Sequence, residues 1–213
     1  MSAPADELET LLEEVVRNVP ALPLDLLRRY VQEILRWNED IGLVSKKNSI
    51  PACRRLLIES AEFGDVVSRT LPAGSTPRVA DVGSGAGFPG IVWRFLHADW
   101  TLVLIERREK KAAFLEQVVA QLGLPRTEVV AGDARDAARL ERYHAAFDVV
   151  ATMAVGEPTR TARDIEGLLV PGGLFATTLP EEAPAPDRVG RRLILENDVR
   201  AQFGRYALYR NRV

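Results

Sequence analysis

Between residues 78 and 179, apolar runs of strand length alternate with segments of helical period, and this alternation limits the chain to very few folds. RVADVG (78–83), TLVLIE (101–106), EVVAGD (128–133), FDVVATMA (147–154) and LFATTL (174–179) read as strands. Helices are expected over 89–97, 108–122, 136–143 and 159–169, and a PGG turn at 171–173 opens the last of these strands. Runs such as LVLI and VVA lack polar alternation, as in parallel strands buried on both faces. A strict βαβ order predicts a doubly wound, mostly parallel sheet with helices on both sides. RRLILEND and RYALYRNRV follow as two strands joined by a turn near Gly204, and PEEAPAPD (180–187) reads as a mobile loop.

The chain before this region is helical. Leu8, Leu11, Leu12, Val15 and Val16 form an i, i+3, i+4 stripe over 6–17. Pro20 and Pro23 interrupt it. A second helix is expected from about Leu24 to Asn38, with Leu27, Tyr30, Val31, Ile34 and Leu35 inward, and a third from about Ile50 to Thr70. No long linker follows, so residues 1–73 are expected as a helical cap packed on a domain formed by 74–213. Tyr30 and Trp37 offer a stacking surface for a base, but their amphipathic helix favours a core role.

Composition excludes several classes. No apolar run approaches the roughly 18 residues of a transmembrane helix. The acidic start, MSAPADELETLLEEVV, lacks the basic region of a signal peptide. A cytoplasmic protein without membrane contact is expected. Cys53 is the sole cysteine, and with His97 and His144 it has no usual metal-ligand spacing, so neither a disulfide nor a metal is expected. The formal charge of −2 shows no overall basic footprint, although a local patch on an acidic protein escapes that test.

The central motif, Asp81-Val82-Gly83-Ser84-Gly85-Ala86-Gly87-Phe88-Pro89-Gly90, follows a strand and opens a helix. Such glycines let a backbone turn sharply and approach a ligand, which sits at the carboxyl ends of the strands. A dinucleotide fingerprint requires glycine three residues after its second one, and Phe88 stands there. The Asp-x-Gly-x-Gly-x-Gly spacing instead resembles the first motif of class I methyltransferases, in which this loop holds the aminoacyl end of S-adenosylmethionine. An acid suits a cationic amine and a sulfonium. Glu106 ends the second strand, where it can accept from both ribose hydroxyls, and Arg107 follows it. Asp133 and Ala134 end the third, where Asp133 either faces the adenine amino group or caps the next helix. The cofactor set is thus Asp81, Gly83, Ser84, Gly85, Gly87, Phe88, Glu106, Arg107, Asp133 and Ala134. For Phe88, packing under the loop is an equal alternative.

VADVGSGAGFPGI, followed by an acid-ended strand and FLEQVVAQLGL, resembles the bacterial 16S ribosomal RNA guanine-N7 methyltransferases, also called glucose-inhibited division protein B. Leu35-Arg36-Trp37-Asn38, with Leu43 soon after, matches the family's "WN…NL" segment. The resemblance spans roughly 25–179. It implies a class I, Rossmann-like methyltransferase with a helical N-terminal cap on a seven-stranded sheet. It also implies methyl transfer to N7 of one guanine of 16S rRNA in the 30S subunit.

This chain departs from the family on the acceptor side. Arg55-Leu56-Leu57-Ile58-Glu59-Ser60 replaces Arg-His-x-x-Asp-Ser. Thr152-Met153-Ala154 replaces Ser-Arg-Ala, Leu179-Pro180 replaces Lys-Gly, and Gly42 stands for the asparagine of "NL". Lost Arg and Lys near the mouth remove phosphate anchors. Two acceptors therefore remain open: 16S rRNA held by other cations (Lys46, Lys47, Arg54, Arg55, Arg107, Arg108, Arg160), or a small molecule in a more apolar pocket near Thr152 and Met153. Guanine N7 has a free lone pair and needs no base. A hydroxyl or protonated amine needs one, for which Glu59, Glu157 and His144 are the candidates, although His144 reads better as a surface residue.

Overall fold

In the computed structural model, which describes residues 4–153 and 157–212, the alternating segments form one sheet with the order β3-β2-β1-β4-β5-β8-β7-β6. Strands β1 (Arg78–Val82), β2 (Thr101–Glu106), β3 (Thr127–Ala131), β4 (Phe147–Thr152) and β5 (Leu169–Leu179) are parallel. β6 (Arg188–Val189), β7 (Leu193–Arg200) and β8 (Arg205–Asn211) extend the sheet antiparallel from β5. Strand order reverses between β1 and β4, which opens a crevice at their carboxyl ends where ligands of such sheets bind.

The sheet has eight strands rather than the expected seven. The extra one, β6, is two residues long and forms a tight hairpin with β7, whose turn holds Gly190 at φ +60°. The buried Glu166 carboxylate fixes that turn by accepting from the N–H groups of Arg191 and Arg192. The 180–187 loop is also tethered, since the Arg205 guanidinium donates to the carbonyls of Glu181 and Ala183. The PGG turn lies inside β5, where Gly172 at φ +76° accompanies a register shift against β4, so a bulge stands where a turn was expected. The expected strand 147–154 ends at Thr152; Ala154 lies outside the described residues.

Helices α1 (Pro4–Asn18), α2 (Leu24–Ile41) and α3 (Ser49–Thr70) bury their stripes together with α4 (Gly90–Leu96) and α5 (Glu109–Leu122). Leu12, Leu27, Val31 and Leu57 share one core with Ile91, Phe114 and Val118. Tyr30 is fully buried and Trp37 packs edge-on against Phe114, so both serve the core. Cys53 is buried there too, which pushes its thiol up to about 12 and leaves it inert. On the connections between strands, α6 (Ala134–Ala137) is one turn long, against the longer helix expected at 136–143; Asp133 caps its start, and the segment after it runs as turns with Leu140 exposed. α7 (Pro158–Ile165) follows β4. Among the described residues no helix is long and apolar enough to cross a membrane.

Candidate functional site

The glycine loop folds back on itself at the end of β1. Gly83, Gly85 and Gly87 take φ values of +75°, +58° and +98°, a region that a Cβ disfavours. Gly83 N–H donates to the Ile105 carbonyl at 2.8 Å, tying the loop to β2. A Cβ on Gly85 would meet only the Gly83 carbonyl, at 3.7 Å, and one on Gly132 would meet nothing within 4 Å, so open space lies beside both. At Gly90 the reverse holds: a Cβ would fall 2.8 Å from Asp81 Oδ2, which accepts the Gly90 N–H at 3.0 Å. The Ser84 hydroxyl turns inward to the Asp81 carbonyl at 2.9 Å. Phe88 is buried under the loop against Tyr30, and the Tyr30 hydroxyl donates to the Ala86 carbonyl at 2.7 Å. The second helix of the cap therefore holds the loop from beneath.

The three strand-end acids have different surroundings. Asp81 is fully buried below the loop, and its Oδ1 has no protein partner. Burial pushes this carboxyl up to about 8, against the stabilising Gly90 N–H, with Glu106 adding to the rise. Glu106 is 5% exposed; its Oε2 accepts from Gly85 N–H and its Oε1 from Arg108 N–H, both at 2.9 Å. Asp133 caps α6 by accepting from Arg135 N–H at 2.9 Å, and Ala134 is buried beside it.

Gly83, Gly85, Glu106, Arg107, Asp133 and Ala134 line a cleft of about 500 Å³; Asp81, Ser84, Gly87 and Phe88, also expected at the cofactor, lie beneath the loop and do not line it. The structure adds Lys111, Arg160 and Thr161 to its walls, and the Arg135–Asp164 pair joins α6 to α7 at its side. None of the last group stands in a motif; Lys111 was legible only as lying one turn after Arg107. The cleft fits S-adenosylmethionine: glycines leave room for a backbone-hugging ligand, and an acid with preset geometry waits at the end of β2. Burial alone keeps Asp81 protonated at neutral pH in the ligand-free protein. Its folded-state value lies above the unfolded value of 3.8, so the native state binds more protons between about pH 4 and pH 8, and stability falls as pH rises through that window. Thermal melts of Asp81→Asn are expected to show a flatter decline between pH 5 and pH 8 than the parent; parallel curves would remove Asp81 as the source.

A second cavity of about 600 Å³ abuts the cleft, with Glu157 lining both. Glu59 (on α3), Thr178, Leu179, Pro180 and Pro184 form its walls. Burial raises the Glu59 carboxyl, partly offset by Arg55, whose guanidinium lies 3.1 Å from it. Two of the three sequence candidates, Glu59 and Glu157, thus come together, as do the replaced residues Leu179 and Pro180. His144 does not join them: it precedes β4, at the opposite end of the strand, exposed and bonded to the Ala138 carbonyl. Thr152 and Met153, expected at the acceptor pocket, are buried and line neither hollow. The Thr152 hydroxyl donates to Thr177, and Met153 sits in the core with its sulfur accepting from Ser60 at 3.4 Å.

A doubly wound sheet with this loop and these acids at the ends of successive strands defines a class I S-adenosylmethionine-dependent methyltransferase. The fold agrees with a methyltransferase from Geobacter sulfurreducens, which superimposes with a TM-score of 0.58 over 88% of both chains at 15% identity. A family model described as rRNA small subunit methyltransferase G (GidB) matches residues 24–180. Ribosomal RNA small subunit methyltransferase G of Laribacter hongkongensis is 32% identical over 90% of this chain and 89% of its own length. That of Nitrosomonas europaea is 37% identical over 59% of this chain, a match spanning 58% of the relative. The chain belongs to the rRNA small subunit methyltransferase G family.

Proposed function

We propose that this protein transfers a methyl group from S-adenosylmethionine to N7 of a guanine in 16S rRNA, acting in the cytoplasm on the 30S subunit. Family membership and the Glu157-bounded contact between the two hollows carry this reading. In it, Asp81, Gly83, Ser84, Gly85, Gly87 and Phe88 form the bed for the aminoacyl end of the cofactor. Glu106 and Arg107 hold the ribose, and Asp133 and Ala134 border the adenine. When bound, the cofactor supplies an electrophilic methyl on a sulfonium. The chain's own task is to exclude water and align the acceptor, which supplies much of the acceleration in such displacements.

The acceptor enters the second cavity. Guanine N7 attacks with a lone pair that carries no proton, so Glu59 and Glu157 orient the base and remove nothing. Loss of a true general base costs about 10²–10⁴ in rate. Glu157→Gln is accordingly expected to lower kcat by less than tenfold, with a flat rate between pH 6 and pH 9; a larger loss together with a sloping profile would mark Glu157 as a base and exclude N7.

The direct test incubates the protein with methyl-labelled S-adenosylmethionine and 30S subunits that lack N7-methylguanine. Label is expected in 16S rRNA, at a position that borohydride and aniline then cleave. No transfer by protein shown to bind the cofactor would overturn the ribosomal acceptor and favour a small molecule.

A further inference from the structure

The second cavity does not end at Glu59. Arg55, one turn earlier on α3, pairs with Glu59 and also lines a third hollow of about 710 Å³, which Ile58 borders as well. Glu157 lines both the cofactor cleft and the acceptor cavity, and the Arg55–Glu59 pair links the wall of that cavity to the wall of this groove.

The groove has two features that the chemistry of transfer does not use. The first is charge. Arg17 from the end of α1 and Arg54 and Arg55 from α3 line it, against one lining carboxylate, Glu14, which pairs with Arg54. Arg17 has no ion pair among the described residues. Asn48, Pro51 and Ala52 also line it, so the groove meets the amino end of a 22-residue helix, whose dipole favours anions.

The second feature is a presented aromatic ring. Phe203, in the turn between β7 and β8, is 40% exposed at the groove. It does not hang loosely. The Glu62 carboxylate accepts from the N–H groups of Gln202 at 2.8 Å and Phe203 at 3.0 Å, which fastens the turn to α3. Guanidinium groups for phosphates and a fixed ring for a base are how proteins hold single strands.

We propose that this groove carries the single-stranded RNA flanking the methylated guanine, with Arg17 and Arg54 on its phosphates and Phe203 stacked on a neighbouring base. The proposal rests on the rRNA reading above and adds where the strand lies. It also explains how an acceptor cavity walled by Leu179 and Pro180 retains an RNA substrate: the phosphate anchors stand one hollow away, on the cap, while the target base is turned into the cavity.

The test is fluorescence anisotropy of a short fluorescein-labelled single-stranded RNA with the cofactor-saturated protein over a KCl series. Arg17→Ala/Arg54→Ala is expected to weaken binding at least tenfold. It should also flatten the slope of log affinity against log salt by about 1.4, since each phosphate contact on a single strand contributes about 0.7. Phe203→Ala should weaken binding about tenfold with an unchanged slope. Arg69→Ala, whose guanidinium pairs with Asp65 elsewhere on α3, serves as the unaffected control. Because Arg54 also anchors α1, Arg17→Ala alone should remove about 0.7 of slope in a chain with intact helices. Affinities within twofold of the parent with parallel slopes would overturn the proposal, as would an acidic peptide binding as tightly as the RNA. Transfer to 30S subunits that ignores these substitutions removes the groove and keeps the ribosomal function. Groove-dependent RNA binding without transfer does the opposite.

Discussion

Glu106→Ala is expected to raise the dissociation constant for S-adenosylmethionine at least 100-fold in a chain that stays folded. The carboxylate receives Gly85 N–H on one oxygen and Arg108 N–H on the other, each at 2.9 Å. It therefore clamps the loop after β1 to the turn after β2 before any ligand arrives. Each oxygen keeps a second lone pair, so in the proposed binding mode a pair of ribose hydroxyls would meet an acceptor whose orientation is already fixed. Hydrogen bonds to a charged group contribute about 1.5–3 kcal/mol each, and two of them correspond to roughly 10²–10⁴ in affinity. Calorimetric titration measures this. Glu106→Gln, which retains one acceptor oxygen, should lie between parent and alanine. An alanine variant within fivefold of the parent would mean that the ribose is held elsewhere.

Gly87→Ala is expected to cost stability as well as cofactor binding. The residue sits at φ +98°, where a side chain is strained. Its Cβ would lie 2.4 Å from Ile91 Cδ1 and 2.9 Å from the Tyr30 hydroxyl. Neither neighbour can withdraw easily, since both are fully buried and Tyr30 is bonded to the Ala86 carbonyl. Backbone strain of about 1–2 kcal/mol and overpacking of about 1–3 kcal/mol add to roughly 2–5 kcal/mol. For a chain of this size that lowers Tm by about 10 °C. A melting temperature within 2 °C of the parent would show that the loop and the cap helix are less tightly joined than the contacts indicate.

Glu106 and Gly87 were legible as candidates in the sequence because the loop geometry they serve is local. A loop between one strand and one helix leaves its glycines and acids a few residues apart, and burial on both faces marks the strands that frame it. What topology assembles was not legible. Glu59 lies on the cap and Glu157 after β4, yet they line one cavity. Nothing in either segment signals the other. Thr152 and Met153 lie beneath the hollows rather than in them, and a replaced motif does not reveal how far its residues turn inward. Thr152 faces Thr177, and Met153 joins the core against Ser60. The eighth strand leaves no mark in the sequence because two residues are too short to carry a period. The arginine groove was visible only as scattered cations; α1, α3 and the β7–β8 turn bring it together.

Methylation of 16S rRNA by this chain is tested most directly by base-resolved mass spectrometry of 16S rRNA from a bacterial strain lacking its own small-subunit guanine-N7 methyltransferase and expressing either this chain or its Glu106→Ala variant. One N7-methylguanine is expected to be restored by the parent chain and none by the variant. Its absence in cells that contain folded, cofactor-binding parent protein would rule out guanine N7 of 16S rRNA as the acceptor.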